Sequence, residues 1–302
     1  MISRTIGRLA LMAAWVAAPV GATPAFAQEP AQAEAPAKVR AEKLTSRIQV
    51  LQMAMTGNVT VFTADDGLLI VDSGNPSSNA IADKIASLSS KPVRYLVDTH
   101  YHDDHTGGNV TVARGGTIVA TDACRDTMRR NLKPEQKPET AGIPQEIYGS
   151  ERGLLMGKHM VRLVHFGPAH TSGDTVVVFE NDKVVAAGDL FFNGLPPYID
   201  VADGADTDNW VKIIRAVAAR YSKYKVIPGH GPVADMKAWL RFADYLTALR
   251  EKVAAAIAAG QTRVQAVASV KLDEFPEIKD AGDFLTKARN VGWVYDELTQ
   301  GK

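Results

Sequence analysis

One segment constrains this chain more than any other. An apolar stretch, 93–97, runs into Asp98-Thr99-His100-Tyr101-His102-Asp103-Asp104-His105. Three imidazoles and a carboxylate therefore crowd into six residues where a strand hands over to a helix start. Burying so many polar groups without partners is costly, so the segment needs either solvent or a metal ion. Residues i and i+2 leaving a strand point the same way. His100 and His102 can thus converge on one metal, while Asp104 and His105, past the bend, are free to turn toward a second. Imidazole with carboxylate suits zinc better than iron or manganese.

Three further candidates stand where predicted strands end. His170 lies in Gly167-Pro168-Ala169-His170-Thr171-Ser172-Gly173-Asp174, and His230 in Ile227-Pro228-Gly229-His230-Gly231-Pro232. Glycines and prolines around each restrict the backbone and permit close approach to a ligand. Asp189 closes the apolar run 184–188. Of the seven histidines, the remaining two have bland readings: His165 as a core residue alternating within a strand, His159 as a surface residue. The single cysteine, Cys124, excludes an intramolecular disulfide framework and Cys-rich zinc modules, and reads as buried and inert.

The first 27 residues read as an export leader: Arg4 and Arg8, an apolar run from 9 to 20 too short to span a bilayer comfortably, and Ala25-Phe26-Ala27 before Gln28. Periplasm or secretion is the expected destination, with no stable membrane span after cleavage. Residues 28–44, rich in Ala, Pro, Gln and Glu, read as a flexible linker. A domain over 45–250 and a C-terminal helical extension over 251–302 follow. Within the domain the pattern predicts strands at 48–53, 59–63, 68–71, 93–97 and 117–120, a long loop at 133–152, then strands at 161–165, 175–180, 184–187 and 225–227. Helices are predicted at 79–87, 209–221 and 233–259. Strands followed by helices occur twice, which suggests two sheets packed face to face with helices outside. With 46% hydrophobic residues the chain can form a sizeable core, and 34 basic against 34 acidic residues leave no global field for nucleic acid.

The ordered motifs resemble the metallo-β-lactamase superfamily: His-x-His-x-Asp-His at 100–105, a distant His170, Asp189, a last His230, and an early Asp72 in Val71-Asp72-Ser73-Gly74. The resemblance extends over about residues 49–249. It implies an α+β fold, an αβ/βα sandwich of two mixed β-sheets with external helices. It further implies that His100, His102 and His170 hold one zinc and Asp104, His105 and His230 another, with Asp189 bridging the pair and Asp72 orienting a ligand from behind. Two Zn2+ per chain would activate a hydroxide between them as nucleophile toward a carbonyl, with Asp104 as the catalytic acid–base group.

The expected activity is hydrolysis of a small-molecule substrate, most like cyclic amide cleavage by class B β-lactamases. A glyoxalase II-like thioesterase or a lactonase is the alternative, and a non-catalytic metal-binding protein the most distant reading. Two departures bear on the choice. Position 189 is aspartate where the best-known subclass has cysteine, and position 192 is Phe192 where that subclass often has a lysine for the lactam carboxylate. Phe191, Phe192, Asn193 and Tyr198 follow the bridging aspartate and are read either as a substrate-pocket wall or as core, and Tyr101 or Tyr198 could supply an electrophilic hydroxyl. No feature specifies an oligomeric state.

Overall fold

The computed structural model describes residues 38–75, 79–137 and 141–300. The leader and most of the linker lie outside these residues. Seven strands form the first sheet: β1 (Arg40–Lys43), β2 (Ile48–Gln52), β3 (Val59–Ala64), β4 (Gly67–Val71), β5 (Val93–Val97), β6 (Thr117–Thr121) and β7 (Glu146–Tyr148), in that order across the sheet. The first four are antiparallel neighbours, and β4 to β7 run parallel. The second sheet comprises β8 (Glu151–Met156), β9 (His159–Val164), β10 (Val176–Phe179), β11 (Val184–Phe192), β12 (Lys225–His230) and β13 (Ala234–Asp235), ordered β13-β12-β11-β10-β9-β8. Only its β11–β12 pair is parallel.

The alternation of side chains across a pleated strand builds three apolar layers. Inward residues Phe62, Leu69, Val71, Val97 and Val119 of the first sheet meet Leu163, Val177, Phe179, Ala186 and Ile227 of the second. The opposite face of the first sheet, with Leu68, Ile70, Leu96 and Ile118, is covered by α1 (Ala80–Leu88) and α3 (Asn109–Ala113). This explains why every residue of β4, Gly-Leu-Leu-Ile-Val, is buried: a strand covered on both faces reads as a continuous apolar run. Between them in sequence sits the one-turn helix α2 (Asp103–Thr106), and α4 (Asp122–Arg130) follows β6. Cys124 in α4 is buried, and burial pushes its thiol up, as expected of an inert cysteine.

The outer face of the second sheet packs on α5 (Thr207–Arg220), α6 (Met236–Ala258), α7 (Arg263–Ser269) and α8 (Lys287–Thr299). Ala266, Leu272, Phe275, Ile278, Val291 and Val294 join the same apolar cluster as Trp210, Phe191 and Trp239. The expected boundary at residue 250 is therefore corrected. It falls inside α6, and residues 251–300 share the core of the domain. Inside that layer, the indole N–H groups of Trp210 and Trp239 both donate to the carbonyl of Leu190, each at 2.9 Å.

Four further expectations change. The flexible linker gives way at Arg40 to β1, a polar edge strand held by pairing with β2. The long loop at 133–152 contains β7, which adds to the parallel edge of the first sheet. β11 continues past 187 to Phe192 through bulges around Gly188. His159 is half-buried with its ring edge-on to Phe62, and His165 lies just after β9 with Nδ1 2.8 Å from the carbonyl of Asp174. Among the described residues, no helix is long and apolar enough to cross a membrane.

Asn290 in α8 ties the C-terminal layer together. It accepts from the Tyr245 hydroxyl at 2.6 Å and donates to the Pro197 carbonyl at 2.6 Å, wholly buried. Replacing it by alanine strands both partners, so Asn290→Ala should lower stability by about 1–3 kcal/mol. Urea denaturation at constant m-value measures this; an unchanged midpoint would refute the bridging role.

Candidate metal centre

The centre forms where β4, β5 and β12 end and where β11 bulges around Gly188. Asp72, the residue after β4, has a left-handed backbone (φ 61°) and donates its N–H to the carbonyl of Val97. Its carboxylate is buried and takes three hydrogen bonds: Thr99 N–H at 2.8 Å, Thr99 Oγ1 at 2.9 Å, and His105 Nδ1 at 2.8 Å. Thr99 gives its hydroxyl proton to Asp72, so its oxygen accepts from His100 Nδ1, 3.1 Å away. Opposite, the side chain of Asn58 donates to the carbonyls of Pro228 and Gly231 and fixes the loop that carries His230.

Two more outer partners complete the frame. His170 Nδ1 lies 2.9 Å from the carbonyl of Tyr198, and His102 Nε2 lies 2.9 Å from Asp200 Oδ2. In all four histidines the outward nitrogen faces an acceptor, which assigns the ring proton to that side. The inward nitrogens of His100, His102 and His170 therefore present lone pairs to one another. His102 Nδ1 sits 2.9 Å from His100 Nε2 and 3.1 Å from His170 Nε2. Converging lone pairs repel one another unless a cation lies among them. Ligands about 2.1 Å from a tetrahedral ion lie about 3.4 Å apart, close to these spacings.

Asp189 links this group to a second. Its Oδ2 is 3.7 Å from His100 Nε2 and 3.4 Å from His170 Nε2. Its Oδ1 is 3.1 Å from His105 Nε2 and 3.4 Å from His230 Nε2. Asp104 Oδ2 lies 3.2 Å from His230 Nε2 and 3.6 Å from His105 Nε2. Two sets of side chains could thus hold metal ions: His100, His102, His170 and Asp189, and Asp104, His105 and His230. Asp189 is 4% exposed and its Oδ1 has no hydrogen-bond partner, as fits a carboxylate shaped for a cation.

The electrostatics agree with that reading. Burial pushes the His170 imidazole down to about 3, leaving it neutral and available as a ligand. Burial also works against positive charge on His105 and His230, yet the facing carboxylates win. Asp189, Asp104 and Asp72 hold His105 well above its ordinary value, and Asp189 and Asp104 hold His230 at about 9. Burial would raise Asp189, but His105, His230 and His100 keep it well below the usual carboxylate range. The pocket favours positive charge, whether a proton or a metal ion supplies it.

The structure brings all seven residues read as ligands together, and Asp72 bonds His105 from behind. The expected pocket wall is corrected in part. Phe191 is a core residue packed on Trp239 and Phe242. Phe192 is buried as well, its ring stacked on His230 at 5.0 Å and edge-on to His170, so it braces two ligands from behind. Asn193 is half-buried and locks the His230 loop, its N–H donating to the His230 carbonyl and its side chain to the Pro232 carbonyl. Tyr198 alone keeps a half-buried ring beside His102 and His170. Neither expected electrophile is free. The hydroxyls of Tyr101 and Tyr198 donate to Asp200, at 2.5 and 3.4 Å, and burial beside that acid pushes both phenols up, Tyr198 to about 12.

Asp200 is the residue that sequence reasoning missed. Burial would raise its carboxyl, but bonds from His102 and Tyr101 hold it at about 2. Its one visible signal is a lone acid inside the apolar run Leu195-Pro196-Pro197-Tyr198-Ile199-Asp200-Val201-Ala202. Beside His102 opens a cleft of about 470 Å³, lined among others by Tyr101, Leu132, Lys133, Gln136 and Ile143.

Fold and centre together define a class, and comparison with known proteins agrees. The family model described as the metallo-beta-lactamase superfamily matches residues 54–231. The chain belongs to the metallo-β-lactamase superfamily, whose members are hydrolases. A curated relative, a metallo-beta-lactamase type 2 of Elizabethkingia meningoseptica, is 23% identical over 225 residues, covering 71% of this chain and 88% of its own. Among solved structures, the stereoselective inverting sec-alkylsulfatase Pisa1 from Pseudomonas sp. superposes with a TM-score of 0.70 at 16% identity, covering 87% of this chain and 51% of the other. The metallo-beta-lactamase FIM-1 from Pseudomonas aeruginosa, in a mono-zinc form, superposes with a TM-score of 0.57 at 23% identity, covering 69% and 96%.

Two outcomes test the geometry. A Cβ at Gly229 would lie 1.9 Å from Asp189 Oδ1, so Gly229→Ala should displace that carboxylate and strip metal from a folded protein. Metal analysis beside circular dichroism measures this; full metal retention would contradict it. Asp200→Ala frees the outer nitrogen of His102 and should weaken metal affinity by about 10- to 100-fold in competition with a chelator.

Proposed function

We propose that this chain is an exported, binuclear zinc hydrolase that cleaves a carbonyl-centred acyl bond in a small molecule. The observation that carries this reading is the Asp189 carboxylate, one oxygen turned to each group of imidazoles. Zinc is supported by the imidazole and carboxylate donors and by the zinc named for one structural neighbour. Export is supported by the leader at residues 1–27.

Two bound divalent ions supply Lewis acidity that acidifies a water and polarises the carbonyl oxygen. The chain's own side chains do the rest. Asp189 and the imidazoles fix the positions, and Phe192 keeps His230 and His170 from tilting. Asp104 is the most accessible carboxylate of the set, with 35% of its side chain exposed. It accepts the proton of the attacking water and returns it to the leaving atom as the acyl bond breaks.

Cyclic amides are the first substrates in this reading, since the curated relative is named a metallo-beta-lactamase. One observation favours a second reading, thioesters or lactones. Position 192 presents a buried phenyl ring where a lactam carboxylate would need a cation.

Zinc-loaded protein should carry about two ions per chain, and His230→Ala should carry fewer and lose turnover. Nitrocefin, a thioester and a lactone assayed in parallel identify the bond. A chelator should abolish turnover and added zinc restore it. Turnover that survives chelation, or one ion per chain at saturation, would overturn the binuclear reading.

A further inference from the structure

The C-terminal segment lies beyond the residues that the family model matches, yet it packs on Tyr198, which stands beside two candidate ligands. Phe284 is the last of the three residues of a tight turn. Ala281 and Leu285 bond to each other in both directions across it, at 2.9 and 3.3 Å, with Gly282 in a left-handed conformation between them. Leu285 packs into the core, while Phe284 is held out with half of its surface exposed. A large aromatic side chain carried on a hydrogen-bonded turn and left half in water is positioned for contact, since burying it would be favourable.

What surrounds Phe284 gives that contact a direction. Its ring lies 5.2 Å from Tyr198 and 5.6 Å from Trp293, and Tyr198 and Trp293 are 5.0 Å apart. The three rings form a triangle. Tyr198 in turn lies 5.3 Å from the His102 ring and 6.0 Å from the His170 ring. Its hydroxyl is engaged by Asp200, so the ring is what it offers. The platform is braced from below, Lys279 N–H donating to the Gly194 carbonyl at 3.0 Å and Asn290 to that of Pro197. An aromatic surface thus runs from two candidate ligands to an exposed phenyl ring. The cleft beside His102 is mixed in character, with Asn131, Lys133 and Gln136 among apolar residues such as Leu132 and Ile143 on its wall.

We propose that Tyr198, Phe284 and Trp293 form a subsite for a large apolar group, an aromatic ring or a medium-length alkyl chain, carried by the substrate on one side of the bond that is cut. The identity of that bond rests on the hydrolase reading above; the binding of the apolar group does not.

The test compares two carboxylates on zinc-loaded protein by titration calorimetry: 4-phenylbutyrate, which carries the apolar group, and acetate, which lacks it. Wild type should bind 4-phenylbutyrate more tightly than acetate. Phe284→Ala should weaken 4-phenylbutyrate by about tenfold or more and leave acetate and zinc content unchanged, and Phe284→Tyr should restore the preference. With thioesters of matching acyl groups, the same variant should raise KM for the phenylbutyryl compound only. Equal affinity of wild type for the two carboxylates, or a Phe284→Ala loss shared by acetate, overturns the subsite. So does a wild-type dimer in sedimentation that Phe284→Ala converts to monomer, because the ring would then be covered by a second copy. Binding of 4-phenylbutyrate without cleavage of any acyl compound overturns the hydrolase reading and leaves the subsite standing.

Discussion

Nitrogen lone pairs aimed at one another are the constraint on which the rest of this structure turns. Each of four imidazoles is fixed from behind by an acceptor: Thr99, Asp72, Asp200 or the Tyr198 carbonyl. Those acceptors determine which ring nitrogen keeps its proton and so force the inward nitrogens of His100, His102 and His170 to meet without one. Such an arrangement is stable only around positive charge. Asp189, buried between the two groups with one oxygen unpartnered, is the anionic complement of the same constraint.

The sheets deliver these groups because parallel neighbours end on the same side. β4 and β5 bring Asp72 and His100 to one edge, and β11 and β12 bring Asp189 and His230 to the facing edge. Backbone bonds then sew the loops together: Asn58 N–H to the Gly229 carbonyl, Ser73 N–H to that of His105, and Thr175 N–H to that of Thr99. Close approach leaves no room for side chains at key points. A Cβ at Gly57 would fall 2.3 Å from the His105 ring, and one at Gly188 2.6 Å from the Thr99 side chain. Gly57 and Gly188, though distant in sequence from the histidine motifs, are thus part of the geometry that gathers them.

The seven ligating candidates were legible because their chemistry is written in residue type and short spacing. A strand covered on both faces, such as β4, was legible as an unbroken apolar run. What escaped has a common cause, dependence on partners distant in sequence. β7 is only Glu146, Ile147 and Tyr148 and exists because β6 offers an edge and the Tyr148 hydroxyl meets Thr175 at 2.6 Å. β1, Arg-Ala-Glu-Lys, has no apolar alternation and is a strand only through β2. Phe191 and Phe192 looked alike in sequence, yet opposite faces of one strand send the first into the helical layer and the second beneath two imidazoles. Asp200 belongs to no motif and acquires its role only when its loop folds back beside His102.

The Leu190 carbonyl has a wider consequence. It directly follows Asp189 and accepts both indole N–H groups, one from α5 and one from α6, which uses both of its lone pairs. The peptide next to the Asp189 carboxylate is thereby bolted to two helices at once. Mechanical stiffness in the helical layer becomes positional accuracy of a single oxygen pair some residues away. Sequence drift on the hidden sides of those helices would then surface first in where the Asp189 carboxylate sits, before any loss of the folded state.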